Sequence, residues 1–180
     1  MNPAPNLALV GPMGAGKSAV GRLLGERLGL RFADLDHEVE TAAGAPIPTI
    51  FECAGEAGFR ARERATLQAL LVGEGIALAT GGGTVLDPDN RRLLRGRCFV
   101  VHLRLDVPAQ LQRLARDRSR PLLQRPDREQ ALRELASIRG PLYDEIADLR
   151  FDTADDNASH AASALAELLA AQWERGSIAA

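Results

Sequence analysis

A chain of 180 residues that is 46% hydrophobic has enough apolar side chains for one core, so a single domain spanning 1–180 is expected. A net charge of −2 and a pI near 5.9 argue against a nucleic-acid duplex or an anionic membrane as partner, so any anion must be held by local charge. No run of about 18 apolar residues occurs and Met1 to Pro5 carries no charged leader, so a soluble, cytoplasmic protein is expected.

Short apolar runs alternate with longer amphipathic stretches, the pattern of an α/β fold whose parallel sheet is covered by helices on both faces. The first strand, Leu7 to Val10, leads into Gly11-Pro12-Met13-Gly14-Ala15-Gly16-Lys17-Ser18. That octet matches a phosphate-binding loop, in which glycines let backbone N–H groups turn inward around phosphate oxygens. Lys17 is the only lysine among 22 basic residues. A guanidinium is a bulkier, fixed fork, whereas an ammonium is a compact charge able to bridge two phosphates inside a tight nest. Gly14, Ala15, Gly16, Lys17, Ser18 and Ala19 are therefore the candidate ATP contacts. Backbone N–H groups from Gly14 to Ser18 hold the β-phosphate, Lys17 offsets charge on the β and γ groups, and the Ser18 hydroxyl ligates Mg²⁺. A helix from Gly16 to about Leu28, stopped by Gly29, aims its N-terminus at the phosphate.

The second strand, Leu30 to Ala33, ends in Asp34-Leu35-Asp36, at the carboxyl edge where open α/β sheets bind ligands. One carboxylate could hold a metal's water shell while the other accepts a hydrogen bond from an attacking hydroxyl. The tripeptide alone fits better a helix beginning near His37 and capped by Asp36, and only the neighbouring motifs reverse that preference. A helix is expected from Phe59 to Leu71, with Arg60 near its start. The third strand, Ile76 to Thr80, runs into Gly81-Gly82-Gly83, either a simple turn or a place where bare N–H groups admit a small polar ligand. Helices from Pro88 to Leu94 and Val107 to Ala115 flank a fourth strand, Cys98 to Leu103.

Between Arg116 and Pro126 the chain is charged, broken by prolines and without a period, and Arg116, Arg118, Arg120 and Arg125 lie in it with no aromatic residue to stack a base. A lid that closes over a triphosphate fits better than an RNA-binding patch, with Arg120 the first choice for the phosphate contact. The last elements are a helix from Arg128 to Ile146, a strand from Leu149 to Phe151 and a helix from Ala158 to Trp173, after which an alanine-rich tail frays. Arg60 and Arg139, if both point into the cleft, form a fork for a carboxylate. Cys53 and Cys98 lack metal or redox spacing and are expected to be buried thiols, and His37, His102 and His160 are expected to be ordinary surface or core residues.

Taken in order, Gly11 to Ser18, Asp34-Leu35-Asp36, Gly58-Phe59-Arg60, Thr80-Gly81-Gly82-Gly83, Arg120-Pro121-Leu122-Leu123 and Arg139-Gly140-Pro141-Leu142-Tyr143 resemble the shikimate kinase family over roughly residues 7 to 172. The series of six is far more specific than any member except the phosphate loop. The resemblance implies a P-loop NTPase fold similar to nucleoside monophosphate kinases, with a five-stranded parallel sheet in order 2-3-1-4-5. It also implies a substrate-binding helical region at about 34–62 and a lid at about 113–126. The implied reaction is ATP-dependent phosphorylation of the 3-hydroxyl of shikimate, with Mg²⁺, in aromatic amino-acid biosynthesis. It assigns Asp36 to the substrate hydroxyls and proton acceptance, Asp34 to the magnesium shell through water, and Arg60 and Arg139 to the shikimate carboxylate. It gives Gly81, Gly82 and Gly83 backbone contacts with substrate, and Lys17 and Arg120 catalytic contacts with phosphate. The second lid arginine is Arg113 or Arg116, and an adenine-facing loop falls near Thr153 to Asn157. Thr49 stands where the family often has an acidic residue, at a position with no proposed contact.

Two other readings remain open at this point. A related small-molecule kinase, for gluconate or a nucleoside monophosphate, would share the loop and sheet, although the Gly-[Phe/Tyr]-Pro-Arg segment usual in the latter is replaced by Gly81-Gly82-Gly83-Thr84. A non-catalytic nucleotide-binding module would need neither Asp36 nor the lid arginines. A monomer that binds ATP and shikimate, and no nucleic acid or membrane, is expected.

Overall fold

A computed structural model of the chain describes residues 3–115, 127–153 and 157–174. Five strands, β1 (Asn6–Val10), β2 (Arg31–Asp34), β3 (Ile76–Ala79), β4 (Cys98–Arg104) and β5 (Leu149–Asp152), form a parallel sheet in order β2-β3-β1-β4-β5. The helices are α1 (Lys17–Leu28), α2 (Leu35–Ala43), α3 (Ile47–Leu70), α4 (Pro88–Arg97), α5 (Val107–Arg113), α6 (Arg128–Ile146) and α7 (Ala158–Gln172), with a 3-10 turn at Thr84–Leu86. Fold class and strand order are as expected.

Successive strand side chains face opposite ways, and the inner strands β1, β3 and β4 therefore feed two cores. Ala8, Val10, Leu78 and Val100 pack with Val39, Leu67, Leu94, Tyr143 and Ile146. On the other face Leu7, Leu9, Val101 and Leu103 meet Val20, Leu24, Leu165, Leu169 and Trp173. The central strand β1 is buried at all five positions, which is why it reads as an apolar run without alternation. None of the described helices is long and apolar enough to cross a membrane.

The structure departs from expectation between residues 35 and 58. Asp34, rather than Asp36, caps α2: its Oδ1 accepts from the N–H groups of Asp36 at 3.1 Å and His37 at 3.4 Å. Gly44, at φ 64°, ends that helix in the left-handed conformation glycine tolerates. Helix α3 begins at Ile47, not Phe59. Pro48 lies in its first turn, where a fixed φ costs nothing, and Glu40 Oε1 accepts from Ile47 N at 2.9 Å. Gly55, at φ 66° and ψ −174°, kinks α3, so no single apolar period runs through both halves. Cys98 is buried, and desolvation raises its thiol pKa, but Cys53 is exposed, contrary to expectation, because the whole stretch 51–57 in the first half of α3 is exposed.

One polar side chain ties the base of the sheet together. Asn6, fully buried on β1, donates to Gly73 O at 3.2 Å and Arg97 O at 3.1 Å and accepts from Ile76 N at 3.0 Å. It thereby joins the turns that enter β3 and β4. Asn6→Leu keeps the volume but strands the Arg97 carbonyl and the Ile76 N–H, while Gly73 O keeps a 3.5 Å contact from Arg97 Nη2, and each unsatisfied buried group costs about 1–3 kcal/mol. Urea unfolding of the variant is expected to show a loss of at least about 2 kcal/mol; a change near zero would contradict this role.

Candidate active site

The loop after β1 is shaped by close packing from two sides. Gly11, at φ 143°, leaves no room for a side chain, since a Cβ there would come 2.3 Å from Leu103 O of β4. From α5, Gln110 Nε2 donates to Met13 O at 2.9 Å and Arg113 Nη1 to Gly14 O at 3.1 Å, while Leu114 packs against Gly14. Gly14 and Gly16 adopt φ 81° and 87°, and Gly16 leads directly into α1. Lys17 Nζ donates to Gly11 O and Pro12 O, both at 2.8 Å, so the ammonium is held over the loop's own carbonyls.

Ser18 Oγ donates to Asp34 Oδ2 at 2.5 Å, while the other oxygen of Asp34 caps α2. A hydroxyl and a carboxylate side by side are hard oxygen donors, and they suit Mg²⁺, which keeps most of its water and takes only one or two protein oxygens beside phosphates. Asp36, in the first turn of α2, lies above the glycine turn: a Cβ on Gly81 would come 2.8 Å from Asp36 Oδ1.

These groups line one cavity of about 370 Å³ that contains Lys17, Ser18, Asp34, Asp36, Gly81, Gly82 and Arg139, with Arg113 at its rim. A larger depression, about 640 Å³, lies against α2 and α3, but its lining is mainly aliphatic and holds none of these residues. Arg60 stands behind the glycine turn. Its guanidinium occupies the place a side chain on Gly83 would need, 2.3 Å from the Cβ position. Gly83 thus leaves room for the Arg60 guanidinium against the turn. Arg60 and Arg139 each bury an Nε with no hydrogen-bond partner among the described residues.

Sequence reasoning missed Glu63. Its side chain, 1% exposed, receives Arg60 Nη1 at 2.8 Å on one oxygen and Thr84 Oγ1 at 2.9 Å on the other. The signal was present: Phe59, Glu63 and Leu67 repeat every four residues, which puts a carboxylate in the middle of a buried helical stripe. Tyr143 was missed as well, although it lies one turn after Arg139; its hydroxyl donates to Gly82 O at 2.5 Å. Arg116, Arg118, Arg120 and Arg125 lie outside the described residues. Of the stretch named for adenine, Thr153 receives Arg113 on its backbone carbonyl and Asn157 caps α7.

A family model described as shikimate kinase matches residues 13–170. The chain belongs to the shikimate kinase family. A shikimate kinase of Stenotrophomonas maltophilia is 58% identical over 180 residues, covering all of both chains. The solved shikimate kinase from Acinetobacter baumannii in complex with shikimate superposes with a TM-score of 0.88 at 48% identity, covering 94% of this chain and 95% of that one. The shikimate kinase from Aquifex aeolicus gives 0.77 at 32% identity, covering 92% and 98%. The expectation of a phosphoryl-transferring enzyme, rather than a non-catalytic nucleotide switch, is met by that membership.

Behind the loop of this shikimate kinase family member, His102 is buried on β4, with Nδ1 3.0 Å from Asp144 Oδ1. Burial lowers the His102 pKa and outweighs the upward pull of Asp144. Burial also pushes Asp144 up, but hydrogen bonds with His102 and Arg150 outweigh it and hold that carboxyl below its usual value. A histidine whose folded pKa lies below the unfolded value of about 6.5 adds stability above that pH and loses it as pH falls toward the folded value. Urea melts are expected to weaken between pH 7 and pH 5, and His102→Phe to flatten that slope; the same slope in both proteins would contradict the assignment.

Proposed function

We propose that the chain transfers the γ-phosphoryl group of ATP to the 3-hydroxyl of shikimate. The observation that carries this reading is a single cavity in which Lys17 and Ser18 face Asp36, with Arg139 on a third side. The N–H groups from Gly14 to Ala19 and the start of α1 receive the β and γ phosphates. Lys17 exchanges its loop carbonyls for phosphate oxygens and offsets charge on the group in transit. Ser18 and, through water, Asp34 hold Mg²⁺, which when bound screens charge on the phosphates.

Asp36 accepts a hydrogen bond from the 3-hydroxyl, aims its oxygen at the phosphorus and takes the proton late in transfer. Arg60 and Arg139 take the substrate carboxylate, and the two unpartnered Nε groups support this, since a carboxylate between them supplies missing acceptors. Gly81 and Gly82 allow the substrate ring to approach the backbone. Arg113, placed over Gly14 and Thr153, is the nucleotide-side arginine that the sequence left open against Arg116. Arg120 completes the phosphate contact from the lid. The chain works as a monomer in the cytoplasm, with no nucleic-acid partner.

Two kinetic outcomes test this assignment. Asp36→Asn keeps size but removes the proton acceptor, and kcat is expected to fall about 10²–10⁴-fold in a coupled ADP assay. Near-normal turnover would remove Asp36 from the mechanism. Arg60→Ala and Arg139→Ala each delete a hydrogen-bonded charge of about 1.5–3 kcal/mol, so the KM for shikimate is expected to rise about tenfold or more while that for ATP stays put. Equal loss for both ligands, or ADP release that follows gluconate or a nucleotide instead of shikimate, would contradict the reading.

A further inference from the structure

Tyr143, on α6 and one turn after Arg139, is 2% exposed, and two neighbours meet at its hydroxyl. Its hydroxyl donates to Gly82 O at 2.5 Å. A side chain on Gly82 would come 3.4 Å from Arg139 Nη1 and 3.5 Å from the Tyr143 hydroxyl, so turn, phenol and guanidinium converge. Behind the ring lies His102, centroids 5.0 Å apart, itself tied to Asp144, which also receives Arg150 Nε at 2.8 Å. Tyr143 is almost fully buried and does not line the cavity that contains Lys17 and Asp36.

We propose that Tyr143 is a positioning residue for the acid-binding side of the cleft, holding the Gly82 carbonyl and the Arg139 guanidinium in one register. All peptides among the described residues are trans, so a Gly82 carbonyl drawn toward α6 turns the Gly83 N–H the other way. One donated hydrogen bond thus orients a peptide of the glycine turn as well as the arginine beside it. The phenol stays protonated throughout the working range, because burial pushes its pKa up to about 12 against the opposing pull of Arg139. His102 limits tilt of the ring, and the Asp144–Arg150 pair limits movement of His102. The inference rests on the reading that Arg139 takes the shikimate carboxylate.

Tyr143→Phe in the full chain keeps the ring and removes only the donor. The KM for shikimate is expected to rise about tenfold, the effect of losing one charge-assisted contact, with the KM for ATP within about twofold of wild type. An unchanged shikimate KM, or a parallel rise in both constants, overturns the proposal, since a purely structural lesion moves both. Absence of shikimate-dependent ADP release by the wild type is a different failure, that of the function itself. Tyr143 is the only tyrosine, so biosynthetic 3-fluorotyrosine labels this site alone and needs no mutation. Its ¹⁹F resonance is expected to shift with shikimate and not with ADP; a resonance indifferent to shikimate overturns the proposal even if the phenylalanine variant fails to fold.

Discussion

Asp34, Ala79, Leu9 and Val101 stand in one row across the sheet, each paired with the next by parallel register, and the cleft is built outward from that row. Parallel strands lie about 4.8 Å apart, which sets Asp34 about 10 Å from Leu9 with Ala79 between them. All of these strands end at the same edge, because parallel pairing gives them no alternative. Within two residues of the row the chain leaves the sheet three times: into the phosphate loop at Gly11, into α2 at Leu35 and into the glycine turn at Gly81. Three segments far apart in sequence are thereby brought round one cavity. Thr80 closes the corner, with its N–H at 3.1 Å and its hydroxyl at 3.0 Å from Leu9 O. Slippage of β2 by one residue would turn Asp34 to the opposite face.

Around that frame the charges are arranged so that few are left to search for partners. Glu63 is a buried carboxylate, a costly group unless both oxygens are satisfied, and Arg60 and Thr84 satisfy them. The gain is placement: Arg60 is held behind Gly83 before any ligand arrives, and less ordering remains to be done on binding. Lys17 over its own carbonyls and Ser18 against Asp34 follow the same logic at the other end of the cavity.

Much of this was legible in the chain itself, for physical reasons that differ by residue. The phosphate loop is local, eight consecutive residues whose backbone does the work, so reading it required no tertiary information. Strand order came through resemblance of a spaced series, and five parallel strands in that order are what the fold contains; the same series is the source of the roles proposed for Asp36, Arg60 and Arg139. Helix α3 was half legible: its kink at Gly55 and its proline start erase the period that marks the second half. Glu63 and Tyr143 were passed over because their hydrogen bonds go to other parts of the protein, Arg60 and Thr84 for one and the Gly82 carbonyl for the other. A buried carboxylate gains meaning only once Thr84 and Arg60 are seen against it. The capping of α2 by Asp34 instead of Asp36 turns on two residues of register, finer than sequence spacing resolves.

The central claim is that the phosphate loop and the acidic edge of β2 serve one transfer, from nucleotide to alcohol, within a common cavity. Following ATP, Mg²⁺ and shikimate with the full chain by ³¹P NMR tests it most directly. The account predicts that the γ-phosphate signal is replaced by a phosphomonoester resonance coupled to a proton on the sugar-like ring. Inorganic phosphate appearing in its place, at the same rate with or without shikimate, would contradict it.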